Sequence, residues 1–173
     1  QPSTVYGGGG DDTIYSEGRN RIFGDDGNDT IHADISGAFI DGGTGNDIIF
    51  AGGTEGFPPG TSSIVYGGNG DDIIYGMNAD YLYGGSGSDS YEITASRTYI
   101  FETATVQFDR GADKVFAYID FTLPEHVENL IMIYGKQTYG YGNDEANIII
   151  GNASNNVLEG KGGYDTLTGG AGS

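Results

Sequence analysis

Short apolar triplets recur along the first half of the chain, and each triplet has an aliphatic residue in the middle. Examples are 4–6, 13–15, 48–50 and 73–75. Successive side chains of a β-strand point to opposite faces, so only the middle side chain of each triplet can point inward. Glycine, asparagine and aspartate separate the triplets, and these residues favour tight turns. The pattern predicts short strands with a turn every eight or nine residues.

Two such strands would form one coil of about 18 residues, and each strand would pair with its equivalent one coil further on. This gives an all-β fold, a solenoid of two parallel sheets packed back to back. Residues 54–63 are an insertion, predicted to form a surface loop that leaves the coil register intact. The predicted core is a single file of inward side chains: Val5, Ile14, Ile22, Ile31, Ile40, Ile49, Val65, Ile74, Leu82 and Tyr91.

Five turns share the pattern Gly-Gly-x-Gly-x-Asp, with Asp25 replacing the second glycine in one of them. They are 7–12, 24–29, 42–47, 67–72 and 84–89. Because these turns lie about whole coils apart, they should stack on one edge of the solenoid. The turns of the opposite edge keep no such motif: 16–20, 33–38, 51–63 and 76–80.

With the strand that follows, each turn completes the nonapeptide Gly-Gly-x-Gly-x-Asp-x-(large apolar)-x, which 42–50 and 67–75 match at every defined position. The chain resembles the RTX (repeats-in-toxin, haemolysin-type calcium-binding) family, whose fold is a parallel β-roll. The resemblance implies several Ca²⁺ ions as cofactors, bound by loop carbonyls and Asp carboxylates in four sites between successive loops. The implied ligand positions are Gly8, Gly10, Asp12, Asp25, Gly27, Asp29, Gly43, Gly45, Asp47, Gly68, Gly70, Asp72, Gly85, Gly87 and Asp89.

A plainer reading is that these are only solenoid turns, which need glycine for positive φ and Asn or Asp for turn formation. That reading does not explain why Asp occupies the sixth position five times. Calcium, which prefers six to eight oxygen ligands, does explain it. We therefore expect metal along the edge that carries the five loops and almost none along the other.

Residues 142–173 repeat the theme with a period of nine, but Asn147 and Asn156 replace the sixth-position Asp. Loop 142–147 should face loop 160–165, which predicts one calcium site with Asp165 and the amide oxygen of Asn147. The predicted organisation is a first roll at 1–92, a connecting and covering β segment at 93–141, and the start of a second roll at 142–173. Residues 93–133 are expected to cover the apolar outer faces of the later coils.

Composition and charge narrow the classes of partner. The chain has 33 glycines in 173 residues, 25 acidic against 7 basic residues, a formal net charge of −18, and no cysteine. A surface this acidic repels nucleic acid and anionic membranes, so neither is an expected partner. The longest apolar run, 130–134, is too short to span a bilayer. The chain starts without Met and stops inside a motif, so we expect it to continue in a longer parent chain.

Catalytic signals are weak, and the chain is not expected to be an enzyme itself. His32 occupies an outward strand position, and His126 has no second histidine at zinc-binding spacing. The leading hypothesis is a calcium-binding structural module, which the resemblance implies is secreted by a type I system and folds outside the cell. Two alternatives stay open: an adhesin or polysaccharide-binding appendage with a glycan or cell-surface partner, and an enzyme with its site in 93–141.

Overall fold

The computed structural model describes residues 1–34, 37–52, 62–77, 80–102, 111–134 and 138–172. Every regular element in this part of the chain is a β-strand, as predicted. In chain order the strands are β1 (Thr4–Gly9), β2 (Thr13–Ser16), β3 (Arg21–Asp26), β4 (Thr30–Ala33), β5 (Phe39–Thr44), β6 (Ile48–Ala51), β7 (Ile64–Asn69), β8 (Ile73–Gly76), β9 (Tyr81–Ser86), β10 (Ser90–Ile93), β11 (Tyr99–Phe101), β12 (Lys114–Ala117), β13 (Phe121–Thr122), β14 (Asn129–Met132), β15 (Thr138–Tyr141), β16 (Ile148–Ile150), β17 (Asn156–Glu159) and β18 (Thr166–Thr168).

Odd and even strands alternate between parallel sheets, which confirms the predicted parallel β-roll. All nine even strands form one sheet in the order of the chain, from β2 to β18. The odd strands form a six-stranded sheet from β1 to β11 and a three-stranded sheet of β13, β15 and β17. Each strand pairs with its equivalent one coil further on, as Ile31 does with Ile49.

The insertion at 54–63 leaves the coil register intact, as predicted. Gly43 pairs with Gly68, and Thr44 pairs with Asn69, across the longest gap between loops. Most of the inserted residues, 54–61, lie outside the described residues. The loops on either side of the insertion are therefore stacked in the same way as the others.

The core is the predicted single file of inward side chains. Tyr91 and the eight aliphatic residues from Ile14 to Leu82 are buried, whereas Val5 is only partly buried and packs against the core. Val5 belongs to the first coil, which has a neighbour on one side only. The file continues beyond the predicted residues through Ile93, Ile100, Val115, Leu123, Val127, Leu130, Met132 and Ile149.

The expectation that 93–133 covers the apolar outer faces of the later coils is wrong for the described residues. Strand β12 pairs with β10 on one side and β14 on the other, so this segment extends the roll along its axis. Ile64 and Tyr81, on the outer face, each keep 40% of their surface exposed. The physical reason is that Val115 and Ala117 alternate with outward residues, as in the regular coils, and can extend the core. The boundaries at 92 and 141 stay a prediction.

A search of the described residues for a helix long and apolar enough to cross a bilayer found none.

Candidate metal sites

The five predicted loops stack directly on one another along one edge of the roll, which we call the loop edge (7–12, 24–29, 42–47, 67–72 and 84–89). Each loop joins an odd strand to the following even strand. The ladders run through the loops themselves, since Gly8 pairs with Asp25 and Gly68 pairs with Gly85. The structure thus brings together the predicted ligand positions of the first roll.

After the first loop, glycine is favoured at the second and fourth loop positions for two reasons. Gly43 and Gly68 have φ values of 111° and 116°, in the left-handed region that other residues rarely adopt. A Cβ added to Gly68 would also clash with the carbonyl oxygen of Gly43 one coil earlier. The exception is Asp25, which adopts a φ of 73° at the second position, and Asp tolerates this region better than most residues do. The loops therefore pack backbone against backbone.

The sixth-position Asp side chains form a ladder along the loop edge. The backbone N–H of Asp29 donates to Asp47 Oδ1 at 2.7 Å, and that of Asp47 donates to Asp72 Oδ1 at 2.8 Å. Asp29, Asp47, Asp72 and Asp89 are each only 1% exposed. One carboxylate oxygen of each of these residues is therefore fixed by the preceding loop, and the whole group is withdrawn from water.

The other carboxylate oxygen of these Asp residues, Oδ2, lies among further oxygen atoms and receives no hydrogen bond. The Oδ2 atoms of Asp29, Asp47 and Asp72 are buried and have no hydrogen-bond partner. A Cβ added to Gly24 would clash with both Asp29 Oδ2 and the carbonyl oxygen of Gly42 in the next loop. The same convergence recurs one coil later at Gly42. Buried oxygens without donors cost free energy unless a cation neutralises them, and an all-oxygen donor set suits Ca²⁺.

Burial also changes the protonation of these carboxyl groups. Burial, together with repulsion from Asp29 and Asp41, raises the pKa of Asp47 to about 6 despite the backbone hydrogen bond from Asp29. For Asp72, burial and repulsion from Asp89 and Asp47 raise the pKa to about 8, again against a backbone hydrogen bond. Near neutral pH the metal-free loop edge therefore has to hold either protons or repelling charges.

The polar groups in the loops of the C-terminal coils have a different set of hydrogen-bond partners. As predicted, loop 142–147 faces loop 160–165, and Asn147 N–H donates to Asp165 Oδ1 at 2.9 Å. However, Asn147 Oδ1 accepts from Asn143 N–H at 2.8 Å, and Asn147 Nδ2 donates to Asn143 Oδ1 at 3.0 Å and to the Val127 carbonyl at 3.3 Å. The amide thus supplies donors where Asp leaves an oxygen without one. Calcium at Asn147 and Asp165 stays a prediction.

Asn156 repeats this arrangement one nonapeptide later, on the other edge. Its Oδ1 accepts from Asn152 N–H at 2.8 Å, and its Nδ2 donates to Thr138 Oγ1 at 2.7 Å. Both loops share the sequence Gly-Asn-x-x-x-Asn. This spacing is the sequence signal for a turn whose polar groups are satisfied by side-chain amides.

On the edge opposite the loop edge, polar side chains form hydrogen bonds with neighbouring side chains and backbone. Asn20 Nδ2 donates to Ser16 Oγ at 2.8 Å, and Ser63 N–H donates to Asp80 Oδ1 at 2.9 Å. Sequence reasoning missed Asp80, which is fully buried there. The restriction of calcium to the loop edge stays a prediction.

Sequence reasoning also missed an acidic group at the far end of the loop edge. One carboxylate oxygen from each of Asp89, Glu102 and Asp113 lies within 4.8 Å of the others. Only Asp89 was among the predicted ligands. The available signal was Gly111-Ala112-Asp113, followed by alternating residues of β12, which preserves part of the nonapeptide.

Neither histidine lies on the loop edge. His32 faces outward as predicted, stacked between Tyr15 and Phe50 with centroid distances of 4.7 and 4.5 Å. His126 Nδ1 lies 2.8 Å from Glu145 Oε1, and both side chains are partly exposed.

Comparison with known proteins agrees with this geometry. A family model described as "RTX calcium-binding nonapeptide repeat (4 copies)" matches residues 3–18, 16–35, 39–54, 62–91 and 141–173. These ranges take in well over half of the chain, and all five loops of the loop edge fall within them. No curated protein and no solved structure was found to match.

Proposed function

Because the chain belongs to the RTX calcium-binding nonapeptide repeat family, and is a calcium-binding β-roll module, we propose that calcium ions between its stacked loops drive its folding. The observation that carries this proposal is the row of buried Asp Oδ2 atoms without hydrogen-bond partners. Asp29, Asp47 and Asp72 would each hold an ion together with the carbonyl of the first glycine in the following loop. The ion supplies the positive charge that the buried oxygens lack.

The energetics favour a calcium-dependent fold over a permanently stable one. The core is one inward residue per strand, which offers little burial against the cost of ordering a glycine-rich backbone. Stacked carboxylates in a chain of net charge −18 repel one another when metal is absent. A site with Kd about 10⁻⁴–10⁻³ M contributes about 4–5 kcal/mol at a 1 M standard state. Several ions that bind only the folded form would shift the equilibrium by mass action.

A fold that depends on calcium fits a protein secreted by bacteria. We propose that the chain passes through a type I system unfolded, and that it folds outside the cell where calcium is abundant. The family membership supports this route, since RTX repeat proteins are typically secreted. A fusion of this chain to a C-terminal type I signal tests it, because high calcium in the producing cytoplasm should then reduce export.

We propose a structural role for the module, without catalysis of its own. The buried carboxylates are turned into the loop edge, where they face backbone oxygens rather than an open cleft. This role is compatible with a parent protein that is an enzyme, a toxin or an adhesin. The partly exposed His126–Glu145 pair is the place to test for catalysis within 93–141, by comparing any hydrolytic activity of the chain with that of His126→Gln.

The exposed aromatic ladder suggests a second candidate function, glycan binding. Tyr15, His32, Phe50 and Tyr75 stack along one outer face with centroid distances of 4.7, 4.5 and 4.4 Å and interplanar angles of 7°, 5° and 13°. Sugar platforms present ring faces, whereas stacking leaves mainly ring edges in water. Only Tyr15, which begins the ladder and is 72% exposed, offers a face. A glycan array probed with the calcium-loaded chain tests this candidate.

Limited proteolysis tests the folding role directly. A nonspecific protease should degrade the chain rapidly in excess chelator and leave residues 1–102 largely intact in millimolar calcium. Magnesium at the same concentration should protect less, because it prefers a smaller octahedral site with retained waters. Equal protection with and without calcium would contradict the proposal.

A further inference from the structure

Glu102 and residues 111–113 occupy a sixth position of the loop edge that the nonapeptide motif does not reveal. Strand β11 pairs with β9, and Phe101 pairs with Tyr83, so Glu102 corresponds to Gly84, the next residue of β9. Strand β12 pairs with β10, which places Asp113 in the position that Asp89 holds one coil earlier. The ladder of Asp side chains continues across this step, because Asp89 N–H donates to Asp113 Oδ1 at 2.8 Å. Residues 103–110 lie outside the described residues.

Two of the three carboxylates are withdrawn from water, and the third is partly buried. Asp89 and Asp113 are each 1% exposed. Glu102 Oε2 is buried and has no hydrogen-bond partner, while Glu102 Oε1 accepts from the hydroxyl of the fully buried Tyr91. Tyr91 therefore fixes Glu102 Oε1, and Glu102 Oε2 is left buried without a hydrogen-bond partner.

The position of Glu102 matches that of a calcium ligand in the earlier loops. A Cβ on Gly67 would contact Asp72 Oδ2 and the Gly84 carbonyl oxygen, the pair of oxygens that recurs along the loop edge. A Cβ on Gly84 would clash with Asp89 Oδ2, the Tyr91 hydroxyl and Glu102 Oε1 instead. A side-chain carboxylate thus takes the place of the backbone carbonyl at the end of the row.

We propose that Asp89, Glu102 and Asp113 bind a further calcium ion, which closes the loop edge after the fifth nonapeptide. This inference rests on the proposed calcium-dependent role of the loop edge, and it adds a site that the repeat motif does not contain. The donor set is richer in charge than that of the preceding sites, because three carboxylates replace part of the backbone ligands. Greater ligand charge favours tighter calcium binding, so this ion should be retained longest on dilution.

The test is the number of calcium ions bound by the full chain, measured by equilibrium dialysis with radioactive calcium. Glu102→Gln should bind one ion fewer than the unsubstituted chain. The matched control is Glu92→Gln, because Glu92 lies on β10 in the same coil, on the outward face, and loses the same charge. Circular dichroism in saturating calcium checks that both variants keep their strand content.

The outcomes separate this inference from the proposed function. An unsubstituted chain that binds no calcium would contradict both. A chain whose calcium number is the same in Glu102→Gln as in the control would overturn only the additional site and would indicate that the three carboxyl groups share protons instead. If Glu102→Gln fails to fold, crystals of the unsubstituted chain soaked in terbium decide: an anomalous peak among the three carboxylates supports the site, and its absence beside peaks at the earlier loops overturns it.

Discussion

The backbone N–H of Asp47 donates to Asp72 Oδ1 at 2.8 Å, while Asp72 Oδ2 is buried without a hydrogen-bond partner. One oxygen of the carboxylate thus connects two coils, and the other faces the carbonyl oxygen of Gly84 beside Gly67. The first contact orders the loops, and the second creates a site for a cation. Repeated along the loop edge, this division of roles couples calcium binding to the stacking of coils.

An interior Asp should matter more than a terminal one. Asp47 lies between two neighbouring loops, whereas Asp12 lies at the start of the row and is less buried. Asp47→Asn should raise the calcium concentration at the folding midpoint several-fold, and Asp12→Asn should raise it less. Far-UV circular dichroism in a calcium titration measures both. Glu17→Gln on the opposite edge removes the same charge and should leave the midpoint nearly unchanged; equal shifts in all three variants would contradict a specific role for Asp47.

Because the loops are closely packed, the free energy of unfolding lost in a Gly→Ala substitution should depend on the position in the loop. Gly68→Ala places a Cβ against the carbonyl of Gly43 at a φ of 116° and should cost about 1–3 kcal/mol or more. Gly8→Ala has a similar φ but open space around the Cβ, so its loss of stability reports the backbone strain without a clash. Gly9→Ala has open space and no positive φ, and should be nearly neutral. Urea unfolding in saturating calcium should rank the losses Gly68 > Gly8 > Gly9, and any other order would contradict this packing.

Acid should partly replace calcium in stabilising the fold. The metal-free folded state holds the Asp72 carboxyl at a pKa of about 8 and the Asp47 carboxyl at about 6, both above the ordinary value of 3.8. A raised pKa means that the metal-free fold is favoured at low pH and loses that stabilisation as the pH rises through about 6 and then about 8. Circular dichroism in excess chelator should therefore show more strand at pH 5.5 than at pH 8. Equal spectra at the two pH values would contradict the protonation of these carboxyl groups in the metal-free fold.

The asparagine turns should need no metal of their own. Asn147→Asp removes the Nδ2 donor to the Val127 carbonyl and Asn143 Oδ1 and leaves a buried carboxylate in its place. At the lowest calcium concentration that folds the first roll, this should destabilise the C-terminal coils by about 1–3 kcal/mol, and more calcium should recover part of the loss. Hydrogen exchange of the β16 amides, followed by mass spectrometry, measures this locally. Unchanged protection at that calcium concentration would contradict the role assigned to the amide.

Much of the roll could be predicted from the sequence, because its periodicity is imposed by geometry. Alternation in the strands fixes which side chain is inward, and the spacing of the glycine turns fixes which loops stack, as the pairing of Gly43 with Gly68 shows. The continuation through β12 and β14 was missed because the long interval between Glu102 and Asp113 hides the nonapeptide. The hydrogen bonds of Asn147 could not be predicted either, since they depend on the carbonyl of Val127, which the fold brings close.

Calcium-driven folding is tested most directly by far-UV circular dichroism of the full chain, titrated with calcium from excess chelator. We expect a largely unfolded spectrum in chelator and a cooperative transition to a strand spectrum near extracellular, roughly millimolar, calcium. The transition should reverse when chelator is added again. A strand spectrum already present in chelator, and unchanged by calcium, would contradict the claim that calcium drives this fold.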